Sequence, residues 1–518
     1  MRREIFQRTT RNVGVVAALV LAVASNATPT SGAPRPAGSW PYSNANLANT
    51  RVASGSLINS ADVKTLRQVW SFTLTGAAAK PVDHLGTFAA NPIVVNGTVY
   101  LQDLRCNVYA LSLATGRLLW EYRVNRPEKS GPGPNGVAVV GGTVYGTSPR
   151  AVFALRAATG ERIWVSSHLL TRGEGTFGIQ PQVASGRVYL ATQYGSGPGG
   201  GVLMALRATN GAKLWTFNTV AHRDPGVKAV GLGSGGAWET PLVSANGTVT
   251  FGTGNPYQSA ASAIADPSAQ LYTDSEVTVN GATGRLLWYY QGVANDFLDH
   301  DMQASPIAAR VGPTNVIVGG GKMGYVYEMN AATGHLIWKT PVGRHNGHDN
   351  DSLKALHHHL ELKTPVTIWP GSLGGILTDM ALADNTVYVT TVDLATTITT
   401  LTAPLGNITG RPSGEVEALN LATGRVEWDT KVKGIPVGAA TVSNNLVLTT
   451  LFQGTLVALN RTSGAVVYQK RLANSTNSPI AVAGATIIVP AGGPKALGQN
   501  GVSQIDAYAV SPLRVSRS

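Results

Sequence analysis

Three carboxylates stand within six residues of one another, at Asp296, Asp299 and Asp301. Clustered acids repel one another unless a cation or a bound proton resolves the repulsion. This spacing therefore favours a metal site or a general base over an ordinary solvated loop. The sequence leaves open which of the three carboxylates carries that chemistry.

Two glycine-rich stretches precede the acids. The first leads into Trp238, and such an approach lets a flat ligand come close to the indole and stack on it. A buried tryptophan that fills a central channel is the alternative for Trp238. The second stretch, Gly252–Pro256, forms a turn on any interpretation, and the side-chain oxygen of its Asn255 is a ligand type that Ca²⁺ accepts.

Two further segments carry residues that could contact a ligand. Lys322 stands among glycines at positions 319–324, where its ammonium could reach a carbonyl or carboxylate of a bound molecule. The loop from His345 to His359 holds five histidines and two aspartates and could bind a transition metal. Since nothing in that loop defines a ligand geometry, a flexible polar loop is the favoured interpretation.

A repeated unit must position these residues. Its clearest copy is Ala110–Trp120, in which Ala-Leu is followed by Thr-Gly and then by Trp. Copies return at intervals of roughly 40–50 residues, with two longer intervals, of which the first holds Trp238 and Asn255 and the second holds the histidine loop. Glycine supplies the freedom that a tight turn between two strands needs, and the flanking apolar alternation suits half-buried strands. This repeat predicts a β-propeller.

The two chain ends carry complementary halves of the repeat. Leu66–Phe72 has the tryptophan-bearing half alone, and Ile505–Val510 has the first half alone. An N-terminal strand that completes the last blade would remove the exposed sheet edge. The outer-strand aromatics, Trp70 through Tyr468, number eight. We therefore predict an all-β fold over residues 42–512: an eight-bladed β-propeller of four-stranded antiparallel blades, closed by the N-terminal strand.

Composition limits the possible partners. The net charge is +12, but the basic residues are scattered without a basic run or a nucleic-acid motif, so we expect no nucleic-acid partner. Cys106 is the single cysteine, which excludes an intrachain disulfide and a Cys-x-x-Cys-His haem site. Any electrons that leave this protein must therefore pass to a separate carrier.

The N-terminus predicts export. Residues 1–27 combine a basic start with an apolar run, Val13–Ala24, that is short for a bilayer span and typical of a cleaved signal peptide. Residues 28–41 predict a disordered linker, and residues 513–518 form a tail. We expect a secreted, periplasmic or cell-envelope protein without stable membrane insertion. An uncleaved N-terminal anchor is the alternative.

The repeat resembles the tryptophan-docking repeat of quinoprotein alcohol dehydrogenases, eight-bladed propellers that bind pyrroloquinoline quinone (PQQ), over about residues 38–510. Four segments match that family in order. Trp238 resembles the tryptophan that stacks under the quinone, and Asn255 resembles the ligand of the catalytic Ca²⁺. Asp299 resembles the general base, which also lies at the metal, and Lys322 resembles the cation that contacts the quinone oxygens.

The sequence also departs from the family pattern. One cysteine cannot make the vicinal disulfide that usually covers the cofactor. No acid stands near Ser196, where the resemblance implies a glutamate that completes the Ca²⁺ site. Asn135 replaces an arginine, and Ala89 or Ala90 replaces a second glutamate. One half of the implied pocket is present and the other half is eroded.

Two hypotheses follow. In the first, the protein is an exported PQQ-dependent dehydrogenase, in which Asp299 takes the proton of an alcohol substrate and Ca²⁺ on Asn255 and Asp299 polarises the quinone. Lys322 would stabilise negative charge, and electrons would pass to a separate acceptor such as a cytochrome. In the second, the protein is a non-catalytic propeller scaffold of the cell envelope that has lost the quinone. The missing residues favour the second hypothesis, and the retained set favours the first.

Overall fold

The structure is a computed structural model that describes residues 38–82, 85–124, 133–194, 200–220, 235–403, 406–493 and 502–511. The predicted signal peptide, most of the predicted linker and the C-terminal tail lie outside these residues. None of the helices within these ranges has the length and apolar character that crossing a bilayer requires.

Short strands that succeed one another with tight turns make up almost all of the regular structure, as the turn glycines and apolar alternation predict. In chain order they are β1 (Arg67–Thr73), β2 (Ile93–Val95), β3 (Thr98–Gln102), β4 (Val108–Ser112), β5 (Leu118–Tyr122), β6 (Ala138–Val140), β7 (Thr143–Ser148), β8 (Ala151–Arg156), β9 (Arg162–Ser166), β10 (Thr176–Phe177), β11 (Gln182–Ala184), β12 (Arg187–Gln193), β13 (Val202–Arg207), β14 (Lys213–Asn218), β15 (Leu242–Val243), β16 (Thr248–Gly252), β17 (Ser275–Asn280), β18 (Leu286–Gln291), β19 (Ile307–Val311), β20 (Thr314–Gly321), β21 (Tyr325–Asn330), β22 (Leu336–Pro341), β23 (Val366–Ile368), β24 (Ala381–Ala383), β25 (Thr386–Ile398), β26 (Asn407–Asn420), β27 (Val426–Val432), β28 (Thr441–Ser443), β29 (Leu446–Leu451), β30 (Thr455–Asn460), β31 (Val466–Arg471), β32 (Ala481–Ala483), β33 (Thr486–Ala491) and β34 (Gln504–Ala509). Two short α-helices, α1 (Ala260–Ala265) and α2 (Asp351–Leu356), and two 3-10 turns, Val63–Thr65 and Gly76–Ala79, complete the set.

The described strands form eight antiparallel sheets, which confirms the all-β prediction. Six sheets have four strands, as predicted, and the other two have five. In one of these, β25 is long enough to pair with β24 near its start and with β23 near its end. Strand β1 pairs with β34, so the first and last strands of the chain share one sheet.

The sheets contact one another through tryptophans. In seven of the eight described sheets the outer strand carries an indole that lies against the turn glycine of the following sheet, and its Nε1 donates a hydrogen bond to a carbonyl there, as from Trp288 to Ala331 at 3.0 Å. The pairs are Trp70 with Gly116, Trp120 with Gly160, Trp164 with Gly211, Trp215 with Gly284, Trp288 with Gly334, Trp338 with Gly424 and Trp428 with Gly464. A large apolar ring and a satisfied polar atom are thus buried together.

The segment before β1 is part of the packed structure. Trp40 is fully buried and exchanges two backbone hydrogen bonds with Val94 of β2. Further along, the segment makes backbone hydrogen bonds to Ala308 of β19, Leu382 of β24 and Val442 of β28, so it crosses the first strands of several sheets. The packed structure therefore begins before residue 42, the predicted boundary, because a linker-like composition does not reveal that Trp40 has a docking site.

Arg51 anchors this crossing segment. Its guanidinium is fully buried and donates hydrogen bonds to partners contributed by distant parts of the chain. These acceptors are Asn44 Oδ1, Asn91 Oδ1, Thr441 Oγ1, Ala440 O and Ile480 O, all within 3.0 Å. Because every donor direction of the planar group is used, Arg51 fixes the segment against three sheets.

Gly334→Ala tests the docking of the indoles. A Cβ at residue 334 would lie 2.5 Å from Cε3 of Trp288, in a backbone conformation with φ of +72°. We expect this substitution to lower the free energy of unfolding by about 2–4 kcal/mol, measured by urea denaturation, because it combines backbone strain with overpacking.

Gly97→Ala is the matched control. Gly97 has φ of +73° but nothing within 4 Å of an added Cβ, so it carries the strain without the clash. We expect it to cost about 1 kcal/mol. Equal costs for the two variants would show that the indole contact contributes nothing measurable.

Asp103 predicts a pH dependence of stability. It is buried after β3 and accepts hydrogen bonds from the amides of Arg105 and Asn107 and from the hydroxyl of Tyr109. Burial raises the pKa of Asp103 from 3.8 to about 6 despite these bonds. Between those values the folded state keeps a proton that the unfolded state has released, so the contribution of Asp103 to stability falls as pH rises.

Asp103→Asn removes this titration. We expect the difference in unfolding free energy between the original protein and the variant to change by about 2–3 kcal/mol between pH 4 and pH 6.5, with the original protein losing more. Denaturation curves at several pH values measure it. Parallel pH profiles would show that Asp103 does not keep its proton in the folded state.

Candidate functional site

The predicted site residues stand on connections that antiparallel pairing brings to one edge of neighbouring sheets. Asn255 follows β16 and Lys322 follows β20, each at the end of the second strand of its sheet. Asp299 and Asp301 lie in the connection from β18 to β19, which reaches the same edge because successive strands run in opposite directions. Asp299 has φ of +62°, a left-handed conformation that is uncommon for residues other than glycine and found often at functional sites.

A buried ammonium joins two of the acids. Lys322 Nζ lies 3.0 Å from Asp299 Oδ2 and 2.7 Å from Asp301 Oδ2, and all three side chains are at least nine-tenths buried. Asp301 Oδ1 accepts a hydrogen bond of 2.8 Å from the backbone amide of Asn255. The structure therefore connects three of the four predicted residues through Asp301.

The charges of this group shift one another's ionisation. Burial raises the pKa of Asp299 although Lys322 opposes that rise. Burial also raises the pKa of Asp274 well above its usual range, and Asp296 and Asp301 add to the effect. For Lys322, burial lowers the pKa but the two aspartates outweigh it, so the pKa lies above its usual range and the side chain stays cationic.

The oxygen donors around Asn255 fit a hard cation. Asn255 is 1% exposed, and neither atom of its side-chain amide has a hydrogen-bond partner. Asp299 Oδ1 is likewise buried without a partner. Buried polar atoms without partners are costly, and a cation coordinated by Asn255 Oδ1 and Asp299 Oδ1 would satisfy these two oxygens. A Cβ at Gly254 would lie 2.7 Å from Asp301 Oδ1, so only glycine permits this approach.

Trp238 lies beside this group with part of its surface exposed. Its Nε1 lies 3.2 Å from the position of a Cβ at Gly254, which places the indole next to Asn255. Tyr194 meets Trp238 edge to face, with ring centroids 4.9 Å apart, and also contacts Tyr257 at 5.6 Å. Trp238 is therefore held as an aromatic wall of the site instead of being a fully buried filler of a channel.

Other singled-out residues have structural roles. Asp296 accepts hydrogen bonds from the amides of Leu298 and His300 and holds the loop that carries Asp299. In the histidine loop, Nδ1 of His345 contacts Asp349 and its Nε2 faces backbone carbonyls, so both ring nitrogens are engaged. The ion pair with Asp349 and the contacts with backbone carbonyls are those of an ordinary polar loop.

In the half of the implied pocket that departs from the family pattern, one position, Asn135, is described by the structure and another, Ser196, is not. Asn135, which stands where the resemblance implies an arginine, is buried and donates to the carbonyl of Asp103 and to Sγ of Cys106. It holds the β3–β4 hairpin. Ser196, where the resemblance implies a glutamate, lies outside the described residues.

Sequence reasoning missed three residues of this site. Asp274 is fully buried with both carboxylate oxygens unpartnered, and its amide bonds to the carbonyl of Gly254. Tyr194 and Tyr257 are the other two. Asp274 lies at the end of a long interval between repeats, outside any motif, and gives no local signal. The two tyrosines differ from core aromatics only through their tertiary neighbours.

Comparisons with known proteins agree with this geometry. The model of the family described as "Glucose/ethanol/alcohol dehydrogenase, beta-propeller domain" matches residues 40–139 and 179–345, which include all four predicted site residues. A second family model, described as outer membrane protein assembly factor BamB, matches residues 412–508.

Two individual relatives are likewise described as alcohol dehydrogenases. The quinoprotein alcohol dehydrogenase PedH of Pseudomonas putida is 27% identical over 274 residues, which are 47% of this chain and 44% of that protein. The quinohemoprotein alcohol dehydrogenase of Comamonas testosteroni is 27% identical over 348 residues, 60% of this chain and 48% of that protein. The chain thus spans about half the length of these curated relatives.

A solved structure supports the fold. The crystal structure of the Comamonas testosteroni quinohemoprotein alcohol dehydrogenase aligns with 91% of this chain and 80% of its own, with a TM-score of 0.77 and 20% identity. At that identity the likeness shows a shared fold, and the matched family model identifies it as a β-propeller.

Lys322→Met tests the buried ion pairs. Without the ammonium, Asp299 and Asp301 face each other with no counter-charge, and we expect a loss of about 3 kcal/mol in unfolding free energy at neutral pH without divalent cations. Lys354→Met is the control, because Lys354 is 46% exposed and its buried partner Asp351 keeps a second contact with His348. An ion pair made by a solvated ammonium is worth about 0–1 kcal/mol. Similar losses in both variants would contradict the assignment of Lys322 as the charge that holds this site.

Proposed function

Because the chain belongs to the family of PQQ-dependent alcohol dehydrogenase β-propellers, we propose that it is a quinoprotein dehydrogenase that oxidises an alcohol. The observation that carries the proposal is the meeting of Asp299, Asp301 and Lys322 beside Asn255, whose side-chain amide has no hydrogen-bond partner. The family resemblance assigns Asn255, Asp299 and Lys322 to the quinone and its metal. The substrate is a small-molecule alcohol, and the electron acceptor is a separate carrier such as a cytochrome.

Asp299 is the proposed general base. Its Oδ2 is held by Lys322, whereas its Oδ1 has no protein partner and can accept the proton of the substrate hydroxyl. A base must lie within hydrogen-bond reach of the proton it takes and must be fixed there. The ion pair and the left-handed backbone at Asp299 provide that fixed position.

Asn255, Asp299 and Asp301 are the proposed oxygen ligands of Ca²⁺, and Trp238 is the proposed stacking surface for PQQ. When bound, the quinone supplies the two-electron acceptor and Ca²⁺ supplies a Lewis acid. Lys322 provides a buried, permanently cationic hydrogen-bond donor where negative charge develops. Burial strengthens that interaction because water does not screen it.

We further propose that the eight sheets are the blades of one closed ring. The pairing of β1 with β34 supports this, because it joins the chain ends within one sheet. First strands of successive sheets also contact one another, from β32 to β2, β2 to β6, β6 to β11 and β11 to β15. Export through a cleaved signal, Met1 to Ala27, remains part of the proposal and places the protein in the periplasm, the cell envelope or outside the cell.

A non-catalytic scaffold is the second candidate function. The match of residues 412–508 to the BamB model favours it, since that model describes an assembly factor. The buried polar atoms around Asn255 that have no hydrogen-bond partner favour the enzyme, because burying them costs stability and a scaffold gains nothing from it.

A titration of the protein with PQQ and Ca²⁺ distinguishes the enzyme from the scaffold. We expect PQQ to quench tryptophan fluorescence only when Ca²⁺ is present, and we expect Asn255→Ala to weaken that binding at least about tenfold. Asp384→Asn, which alters an exposed carboxylate, should bind as the original protein does. Absence of quenching at about 100 µM PQQ with Ca²⁺ would favour the scaffold.

Asp299→Asn distinguishes the role of Asp299 as general base from its role as a Ca²⁺ ligand, and it can be studied in the same titration. Asparagine keeps a side-chain oxygen but cannot accept a proton at neutral pH. We expect quinone binding to persist while alcohol-dependent reduction of an artificial electron acceptor falls at least about 100-fold. Retained turnover in this variant would assign the base to another residue.

A further inference from the structure

A second group of acids lies on the sheet formed by β25, β26 and β27. One carboxylate oxygen from each of Glu415, Glu417 and Asp429 lies within 4.8 Å of the others, a spacing that among the described residues marks this group as able to hold a metal ion. Glu417 is paired in register with Asp429, and Glu415 with Lys431, so adjacent strands present the side chains to one face. None of these residues belongs to the site around Asp299.

Asp393 points to a ligand independently of that spacing. It lies on β25, is 7% exposed, and its Oδ1 is buried without a hydrogen-bond partner. Asp393 is paired in register with Ser413, two residues before Glu415 on the same face of the sheet, and its carboxyl lies within hydrogen-bond reach of Glu415, so it is aimed into the group. A buried carboxylate oxygen without a partner is costly unless an ion satisfies it. Glu415, Glu417, Asp429 and Asp393 are called the carboxylate cluster below.

The protein groups around the cluster do not balance its charge. Lys431 Nζ contacts Glu415 and lies 3.5 Å from Asp429 Oδ2, but its side chain is 71% exposed. The Gly343 amide donates to Glu417 Oε1 at 2.7 Å, and this neutral donor adds no charge. One solvated ammonium therefore faces four carboxyl groups, most of which are buried.

We propose that the carboxylate cluster binds one Ca²⁺ ion. All the donors are carboxylate oxygens, which hard divalent cations prefer. Ca²⁺ holds oxygens at about 2.3–2.6 Å, so the oxygens, which lie within 4.8 Å of one another, are close enough for one ion to reach all of them. Mg²⁺ loses its water ligands reluctantly and is seldom bound by several protein carboxylates alone, so Ca²⁺ suits this donor set better. The exposed Asp429 provides an entry path and room for water ligands.

The position of the cluster suggests what the ion does. Strands β25 and β26 form a long hairpin with the cluster near the middle of its length. Beyond the cluster, Ile398 packs with Phe297 and Leu298, the two residues before Asp299. Beside the cluster, Val392 pairs with Gly375, whose backbone lies against the carbonyl of Lys322. An ion that ties β25 and β26 to β27 therefore braces the hairpin that packs over the candidate active site.

A salt bridge without a metal is the competing interpretation, in which Lys431 alone neutralises the cluster. The two interpretations differ in what Lys431→Met does. If the cluster binds Ca²⁺, removing the competing ammonium tightens binding. If it does not, the substitution only removes an ion pair.

Isothermal titration of the full chain with CaCl₂ alone, without PQQ, tests the proposal. We expect Asp429→Asn and Glu417→Gln each to lower the number of Ca²⁺ ions bound per chain by one relative to the original protein. Lys431→Met should bind that ion about tenfold more tightly. Asp384→Asn, an exposed carboxylate in another ion pair, should change nothing. The site around Asn255 is unaltered in all of these variants and serves as an internal reference.

Folding does not obscure the result, since Asp429 is exposed and its substitution by asparagine leaves the core unchanged. The thermal midpoint of Asp429→Asn in EDTA should equal or exceed that of the original protein in EDTA, because one of the repelling carboxylates is gone, and only the original protein should be stabilised further by Ca²⁺ at this site. An unchanged number of bound ions in Asp429→Asn and Glu417→Gln up to about 10 mM Ca²⁺ would overturn the proposal. So would a Lys431→Met variant that binds Ca²⁺ no more tightly.

Discussion

The contact on which the structure depends is an indole lying against a glycine turn of the next sheet. The turn can approach so closely because glycine has no Cβ: at Gly334 an added Cβ would meet the ring of Trp288 at 2.5 Å. Each contact also satisfies the indole N–H with a carbonyl, so burial of the ring leaves no polar atom without a partner. Because the same contact recurs from sheet to sheet, neighbouring sheets pack against one another in the same way. Their loops at one edge therefore meet.

Those edge loops collect charge where the fold excludes water. Asp299, Asp301 and Lys322 are almost completely buried, and one ammonium serves two carboxylates. Such a group is a costly way to stabilise a protein, because desolvation offsets much of the attraction. It is an effective way to hold a proton acceptor and a cation at fixed positions. The side-chain amide of Asn255 beside it has no hydrogen-bond partner, which indicates that the protein's own groups do not complete the arrangement.

The long hairpin of β25 and β26 connects this edge to a second collection of acids. Its far part packs on Phe297 and Leu298, and its middle carries Asp393 and Glu415. Here, too, backbone pairing brings like charges together that would separate in solution. The fold bears that repulsion at two places, and the hairpin that carries the second also packs, through Ile398, on the loop that holds the candidate base.

Sequence alone determined the period, the strand-turn-strand unit and the order of the segments with Trp238, Asn255, Asp299 and Lys322, because glycine turns and apolar alternation are local properties. It did not determine which acids meet. The left-handed backbone at Asp299 lets it and Asp301 both reach Lys322, while Asp296 turns back to hold its own loop. Periodicity indicates which face of a strand a side chain takes, but the charges and cavities opposite that face come from distant residues, and only the tertiary structure decides them.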